Sequence, residues 1–257
     1  MRTRWSELRS PELAEAVARN AVVVVPVGAT EQHGPHLPVG TDTLIGSQIA
    51  RQVCERVRDK IVAIYLPVVW TGYSPLHVDF AGTITLEAET FLRLICDICR
   101  SIWSQGFRRI LLLNSHGKNR YLLSAAVGEL SYRHGVSVVQ MNYWNLIAEY
   151  LREWRASKLG GINHAGEMET SLMLHLHSDW VRMEDAIEEI PTPTSPYLTY
   201  DFAVPRAITV ERKVAELSDS GIIGDPTVAT DARGQELFEH IVQNISRFLL
   251  EFDEWPE

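Results

Sequence analysis

The 257-residue chain has little positive charge, few cysteines and no long apolar run. Its net charge of −9, without a dense Lys/Arg run, argues against a nucleic-acid-binding surface. Its apolar stretches are shorter than the roughly 20 residues that cross a membrane. The N-terminus lacks the apolar segment of a secretory signal. We therefore expect a cytoplasmic protein with neither a nucleic-acid nor a membrane partner.

Three cysteines, an odd number, do not suggest a disulfide framework. Cys96 and Cys99 lie three residues apart inside a helical apolar pattern, and we interpret them as core residues rather than half of a metal site. No Gly-x-Gly-x-x-Gly follows the first predicted strand, and the sequence has no P-loop. Both absences argue against a dinucleotide-dependent enzyme.

Short runs rich in Val and Ile predict strands that are buried on both faces. The predicted strands are Ala21–Val27, Ile61–Trp70, Arg109–Asn114 and Val136–Tyr143. Helical patterns alternate with them, over Ser10–Arg19, Asp42–Arg58, Leu86–Gln105, Asn119–His134, a stretch beginning near Gly166, and Gln235–Phe252. This alternation predicts one α/β domain over residues 1–257, with a mostly parallel sheet and helices on both faces. The segment Glu188–Pro205, rich in Pro, Thr and Tyr, predicts a long surface excursion, either a lid or a subunit contact.

Polar residues gather directly after the predicted strands. Since parallel strands end at the same edge of a sheet, these residues are expected to converge on one rim. They are Glu31, His33 and Asp42 after the first strand, Ser74 and His77 after the second, His116, Lys118 and Asn119 after the third, and Trp144 after the fourth. Their convergence is a stronger sign of a functional site than any single motif.

The turn after the first strand holds an unusual density of carboxylates and imidazoles. Such groups beside a core element are costly unless they bind something, and zinc and manganese accept this mixture of ligands. Other interpretations stay open at this stage. One alternative is that Asp42 only caps the helix that follows it, and another is that His77 is an exposed surface histidine. His36, between two prolines, is interpreted as supporting the ligands rather than as a ligand.

A fifth segment places two glutamates at the start of a predicted helix. At about 100° per residue, Met168 and Leu172 help to define the apolar face of this helix. Glu169 points into that face and is a candidate ligand. Glu167 points to the opposite side and is interpreted as completing the helix dipole or supporting the ligands. His164, just before the helix, is a candidate proton carrier at the same rim.

The candidate ligands exceed the roughly three that one open catalytic zinc takes from a protein. They suit two divalent zinc or manganese ions per chain that share a bridging carboxylate, and the short side chain of Asp42 is the natural bridge. Such a pair of ions holds a hydroxide at neutral pH and polarises a carbonyl. The ligand set is Glu31, His33, Asp42, His116 and Glu169.

Four motifs together resemble the creatininase (creatinine amidohydrolase) family, over about residues 5 to 250. They are Gly28-Ala-Thr-Glu31-Gln-His33-Gly-Pro-His36-Leu-Pro-Val-Gly-Thr-Asp42, Asn114-Ser-His116-Gly-Lys118-Asn119, His164-Ala-Gly-Glu-Met-Glu169-Thr-Ser171 and Gly221-Ile-Ile-Gly224-Asp-Pro226. The resemblance implies a three-layer α/β/α fold, a binuclear Zn/Mn site and a homohexamer. It also implies hydrolysis of non-peptide amide C–N bonds, often in cyclic amides.

The resemblance also implies roles for individual residues. His164 matches the family's catalytic histidine. One ion is held by Glu31, Asp42 and His116, and the other by His33 and Asp42, with Glu169 completing its site.

The chain departs from the family pattern at Lys118. Creatinine-hydrolysing members carry a glutamate there that helps to hold the second ion, so this ion must rely on Glu169. A lysine near the metals would favour an anionic substrate group over the neutral creatinine ring, and we count Lys118 with His164 among the catalytic candidates. The alternative is a lysine that simply faces solvent.

The main interpretation is thus a metal-dependent amidohydrolase acting on a small molecule. One alternative is a deformylase acting on an N-formyl nucleotide intermediate, which Lys118 would favour slightly by binding phosphate. Another is a non-catalytic member of the fold that holds or matures a peptide, which incomplete metal ligands would support, although all five candidates are present. Substrate contacts are predicted for Ser74, His77 and Trp144, and supporting roles for His36, Glu167 and Asn119.

Overall fold

A computed structural model describes residues 2–205 and 207–256. At the centre of these residues lies a parallel four-stranded sheet in the order β2-β1-β3-β4. Its strands are β1 (Val22–Val27), β2 (Ala63–Tyr65), β3 (Arg109–Asn114) and β4 (Val139–Asn142). The two central strands are the longest and the most continuously apolar, as expected for strands covered on both faces.

Helices follow the strands and cover the sheet. The α-helices in the described ranges are α1 (Ser10–Ala18), α2 (Thr41–Val57), α3 (Ala88–Ser104), α4 (Asn119–His134), α5 (Tyr143–Leu146), α6 (Ala148–Trp154), α7 (Glu167–His177) and α8 (Asp231–Asp253). Short 3-10 turns occur at Trp5–Glu7, Pro75–His77, Ser178–Trp180, Met183–Asp185, Val214–Glu216 and Pro226–Val228. The longer helices begin and end within a few residues of the predicted ones.

Side chains of the central strands alternate between two apolar cores. Val22 and Val24 face the core formed with α2, α7 and α8, whereas Val23 and Val25 face the core formed with α1, α3 and α4. Burial of one such side chain stabilises the fold by about 1.5–3 kcal/mol. The predicted three-layer α/β/α architecture is therefore confirmed.

The second strand is much shorter than the predicted Ile61–Trp70. Leu66 N still donates to Val24 O, but Pro67 has no N–H for the ladder, and pairing resumes only where Val69 N donates to Pro26 O. The fourth strand is also short, and its residues are only half-buried because it lies at the edge of the sheet.

The segment Glu188–Pro205 is in part a packed wall rather than a surface excursion. Asp201 is buried, accepts a hydrogen bond from Gly160 N at 2.7 Å and pairs with Arg155 at 2.8 Å. Phe202 N donates to Ile162 O at 2.8 Å. The carboxylate of Asp201 compensates for the absence of regular secondary structure, because it satisfies backbone groups that a helix or strand would otherwise pair.

Cys54, Cys96 and Cys99 are buried and form no disulfide. The two cysteines of α3 pack in the core on one face of the sheet, in agreement with their interpretation as core residues. Within the described part of the chain, no helix is both long enough and apolar enough to span a bilayer.

Candidate metal centre

The loop between β1 and α2 folds back on itself and brings its polar side chains together. Glu31 N donates to Val39 O at 2.9 Å, and His33 and Leu37 form an isolated antiparallel bridge. Gly34 has φ +67° at the tip, and a Cβ there would lie 2.4 Å from the side chain of Ile222. Only glycine fits this turn without strain.

Three predicted ligands form a first group at the carboxyl end of the sheet. The ligand atoms of Glu31, Asp42 and His116 all lie within 4.8 Å of one another. His116 Nδ1 is 3.3 Å from Glu31 Oε1 and 3.0 Å from Asp42 Oδ2. All three side chains are buried.

A second group lies on the other side of Asp42. His33 Nε2 is 3.4 Å from Asp42 Oδ1 and 3.7 Å from Glu169 Oε2. Asp42 thus directs Oδ2 toward His116 and Oδ1 toward His33. One oxygen toward each group is the arrangement that a bridging carboxylate requires.

Several buried ligand atoms of these groups lack hydrogen-bond partners. Glu31 Oε2, Asp42 Oδ2 and His33 Nε2 make no hydrogen bond to any residue in the described ranges. Buried polar atoms without partners cost about 1–3 kcal/mol each, and divalent ions would satisfy all three. The mixture of imidazole and carboxylate suits zinc or manganese, so the donor set fits the expected metals.

Within the cluster, burial and neighbouring charges shift the pKa values of the side chains in opposite directions. Burial lowers the pKa of His33, but the nearby Asp42 and Glu169 outweigh this effect and raise it to about 9. Burial raises the pKa of Glu169 to about 7, although the charge on His33 opposes the change. Metal binding would have to release protons from such groups, and we therefore expect it to strengthen as pH rises.

Two further histidines and an amide adjoin Glu31. Glu31 Oε1 lies 3.4 Å from His164 Nδ1 and 3.6 Å from His77 Nε2. Gln32 Nε2 lies 3.0 Å from His164 Nε2, 3.1 Å from His77 Nδ1 and 2.9 Å from Gly221 O. His164 and His77 also fall into groups whose ligand atoms are within 4.8 Å of each other, and metal ligation is therefore open to both.

The environment of both histidines favours the neutral imidazole. Burial and the charge on His33 lower the pKa of His164 well below its ordinary value. Burial lowers the pKa of His77 to about 4, against the opposing charge of Glu31. Sequence reasoning missed Gln32, although its place between two predicted ligands, Glu31 and His33, was a usable signal.

Two predicted supporting residues, Asn119 and His36, and one predicted substrate contact, the buried Ser74, lie against the ligand-bearing elements. Ser74 Oγ lies 3.3 Å from His116 Nε2. Asn119 Nδ2 donates to Gly28 O at 2.9 Å, and its Oδ1 accepts from Tyr73 N at 2.9 Å. The buried His36 Nε2 lies 2.9 Å from Thr170 Oγ1 and joins the loop to α7.

Two predicted site residues lie away from the cluster. Trp144 is buried in the core because the chain turns into α5 directly after β4. Its ring stacks on that of Phe202, with centroids 5.3 Å apart. Phe202, and not Trp144, lines the cavity next to the cluster. Glu167 is fully buried and accepts hydrogen bonds from Ala156 N and Arg233, both at 2.8 Å, rather than from any ligand.

The cluster opens into a cavity with mixed walls. Apolar side chains come from the loop after β2 and from the segment 198–217, namely Leu76, Leu198, Phe202, Val210 and Leu217. Cations are contributed by Lys118, Arg120 and Arg212. Lys118 forms an ion pair with Glu211.

Comparison with known proteins agrees with this geometry. Residues 6–249 match the creatininase family, described as creatinine amidohydrolase. A mycofactocin precursor peptide peptidase of Mycobacterium tuberculosis (strain CDC 1551 / Oshkosh) is 33% identical over 256 residues, with 94% of this chain and 89% of that protein covered. The creatinine amidohydrolase of Pseudomonas putida is 30% identical over 257 residues, with coverage of 94% and 92%.

Solved structures extend the likeness to three dimensions. A creatininase structure described as the Mn form has a TM-score of 0.82 and 28% identity, and the match covers 100% of both chains. A mutant creatininase of Zn–Zn type has a TM-score of 0.81 and 28% identity, with the same coverage. Fold, ligand cluster and relatives define the class as a metal-binding α/β/α hydrolase. Within that class, the chain belongs to the creatininase family.

Proposed function

We propose that the protein is a two-metal amidohydrolase that cleaves a C–N bond other than a peptide bond in a small, cyclic-amide-type substrate. The observation that supports this most directly is the position of Asp42 between two ligand groups. Its oxygens lie 3.0 Å from His116 Nδ1 and 3.4 Å from His33 Nε2.

The proposed division of ligands follows these distances. Glu31, Asp42 and His116 would hold one ion, and His33, Asp42 and Glu169 the other. Two divalent ions held in this way would supply a hydroxide at neutral pH and would polarise the scissile carbonyl. The buried position of the ligands excludes bulk water and strengthens these interactions.

His164 is the proposed proton carrier. Its Nε2 lies 2.8 Å from the backbone oxygen of Gln32 and donates to it, which leaves the Nδ1 lone pair facing the cluster. A neutral imidazole so oriented accepts a proton at Nδ1 and then returns it to the leaving nitrogen. The low pKa of His164 keeps the imidazole neutral before the reaction.

A second candidate function is cleavage of a modified or precursor peptide. It is favoured by the relative named as a mycofactocin precursor peptide peptidase, whose identity of 33% exceeds the 30% of the creatinine amidohydrolase. The complete ligand set favours catalysis over peptide holding alone. The deformylase alternative loses support, because the ion pair with Glu211 already engages the lysine that would bind phosphate.

The proposed function is tested by hydrolysis assays on protein loaded with zinc or manganese. We expect cleavage of at least one member of a panel of cyclic amides and formamides, loss of activity with a chelator, and recovery on adding either metal. Cleavage of peptides alone would favour the second candidate. Activity that survives complete metal removal would reject the two-metal mechanism.

A further inference from the structure

The cavity that contains the ligand cluster is lined by three cations, although the chain as a whole carries a net charge of −9. Two of them, Lys118 and Arg120, follow β3, and the third, Arg212, comes from the segment 198–217. Apart from the candidate metal ligands, Glu211 is the one carboxylate among the described residues that line this cavity, and this surplus of cations in the outer wall indicates an anionic ligand.

The three cations differ in whether they have a counterion. Lys118 is paired with Glu211. Arg212 is half-buried and forms no ion pair or hydrogen bond with any other residue that the structure describes. Arg120 lies over the ring of Tyr121, 4.5 Å from its centroid, and donates to its hydroxyl. No carboxylate in the described ranges lies within 4.0 Å of Arg120, and its buried Nε has no hydrogen-bond partner.

We infer that the substrate carries a carboxylate or phosphate group, and that Arg212 and Arg120 bind it while the scissile bond lies over the ligand cluster. A guanidinium offers paired N–H donors that match such an anion. Lys118 contributes less than its charge suggests, because Glu211 neutralises it. This inference rests on the proposed function, since the carboxylates of the cluster would repel an anion unless divalent ions neutralised them.

The first test is calorimetric binding to zinc-loaded protein of hydantoin-5-acetate and of its neutral counterpart, hydantoin-5-acetamide. The anionic compound should bind about tenfold or more tightly than the neutral one, as expected for hydrogen bonds between charged groups. Arg212→Gln should remove most of this preference, whereas the control Arg93→Gln, at an exposed position of α3, should retain it. Arg120→Gln is the second variant, in case Arg212→Gln is poorly folded.

Three outcomes would overturn the inference: equal binding of the two compounds, no binding of the anionic compound, or the same preference in Arg212→Gln and Arg93→Gln. The last result would mean that the carboxylate binds only the metals. A further variant, Glu211→Gln, should change the affinity in the opposite direction. It releases Lys118 from its ion pair and should therefore strengthen binding of the anionic compound. Weaker binding in that variant would also contradict the inference.

Kinetics separate this inference from the proposed function. If either compound or another cyclic amide is hydrolysed, Arg212→Gln should raise KM for anionic substrates with little change in kcat, because the contact lies away from the reacting atoms. If no amide is hydrolysed, the proposed function fails, and the binding measurements still decide whether Arg212 recognises an anion.

Discussion

At the scale of single residues, the site depends most on Asp42. Its two oxygens face different histidines, so its removal should affect both ligand groups, whereas removal of Glu169 should affect only one. We expect Asp42→Asn to lose both metals and to reduce activity more than about 100-fold, beyond the 10–100-fold typical of residues that only support ligands. Metal analysis and kinetics on the same preparations provide the measurement.

The comparison with Glu169→Gln makes this prediction specific. That variant should keep one ion per chain, held by Glu31, Asp42 and His116. Asp59→Asn, at a highly exposed carboxylate, is the control and should keep the full metal content. Equal metal loss in Asp42→Asn and Glu169→Gln would contradict a bridging role for Asp42.

Gln32 gives a second prediction at this scale. Its amide nitrogen lies 3.1 Å from His77 Nδ1 and 3.0 Å from His164 Nε2, so the side chain holds both rings in position. Gln32→Leu should lower kcat by about 10–100-fold while metal content stays unchanged. The nitrogen NMR shifts of labelled histidines should change at His77 and His164, and the control Gln105→Leu should leave them as they are. Unchanged histidine signals in Gln32→Leu would contradict this positioning role.

The sequence predicted which residues gather in the cluster better than it predicted the residues that support them. Glu31, His33 and Asp42 stand out because their density in one turn has no structural purpose, and Glu169 because it points into an apolar helix face. Gln32 was missed because an amide is a poor metal ligand, and its role depends on Gly221, which lies 189 residues away in sequence.

At the scale of elements, helix α7 shows how one turn serves both the site and the fold. Glu169 belongs to the cluster. Glu167, two residues earlier, is buried elsewhere, where it accepts hydrogen bonds from Ala156 N and the Ser157 hydroxyl and pairs with the Arg233 guanidinium. Helix periodicity predicted correctly that the two glutamates face different ways. It could not predict that the second face is also buried, because that burial comes from distant parts of the chain.

Glu167→Gln tests this structural role. The amide cannot accept all the hydrogen bonds that the carboxylate accepts, and it leaves Arg233 without its ion pair. We expect the free energy of unfolding to fall by about 2–3 kcal/mol, measured as a lower urea midpoint. Glu149→Gln, at an exposed position of α6, is the control. A stability equal to that of the control variant would contradict the assigned role.

The extents of helices were predicted better than those of strands. A helix makes its hydrogen bonds within its own segment, and the apolar face of α3 or α8 therefore reveals its bounds. A strand depends on its neighbours in the sheet. Leu66 to Trp70 has strand-like composition, but Pro67 interrupts its pairing with β1.

At the scale of the whole molecule, assembly stays a prediction from family resemblance. Three exposed apolar residues are hydrogen-bonded through their backbones to Thr30 or Glu31: Trp70 O accepts from Thr30 Oγ1, Ile84 N donates to Thr30 O, and Val39 O accepts from Glu31 N. Each of their side chains is more than a third exposed. Apolar groups of this kind are often covered by subunit contacts. We expect sedimentation to give a particle of six chains of 29.1 kDa each. A monomer at micromolar concentration would contradict the homohexamer.

We propose that the cluster around Asp42 holds two divalent ions in each chain. The most direct measurement is the metal content of the protein after reconstitution with zinc or manganese and removal of loosely bound ions. We expect two ions per chain. One ion per chain or fewer, in correctly folded protein, would contradict this proposal.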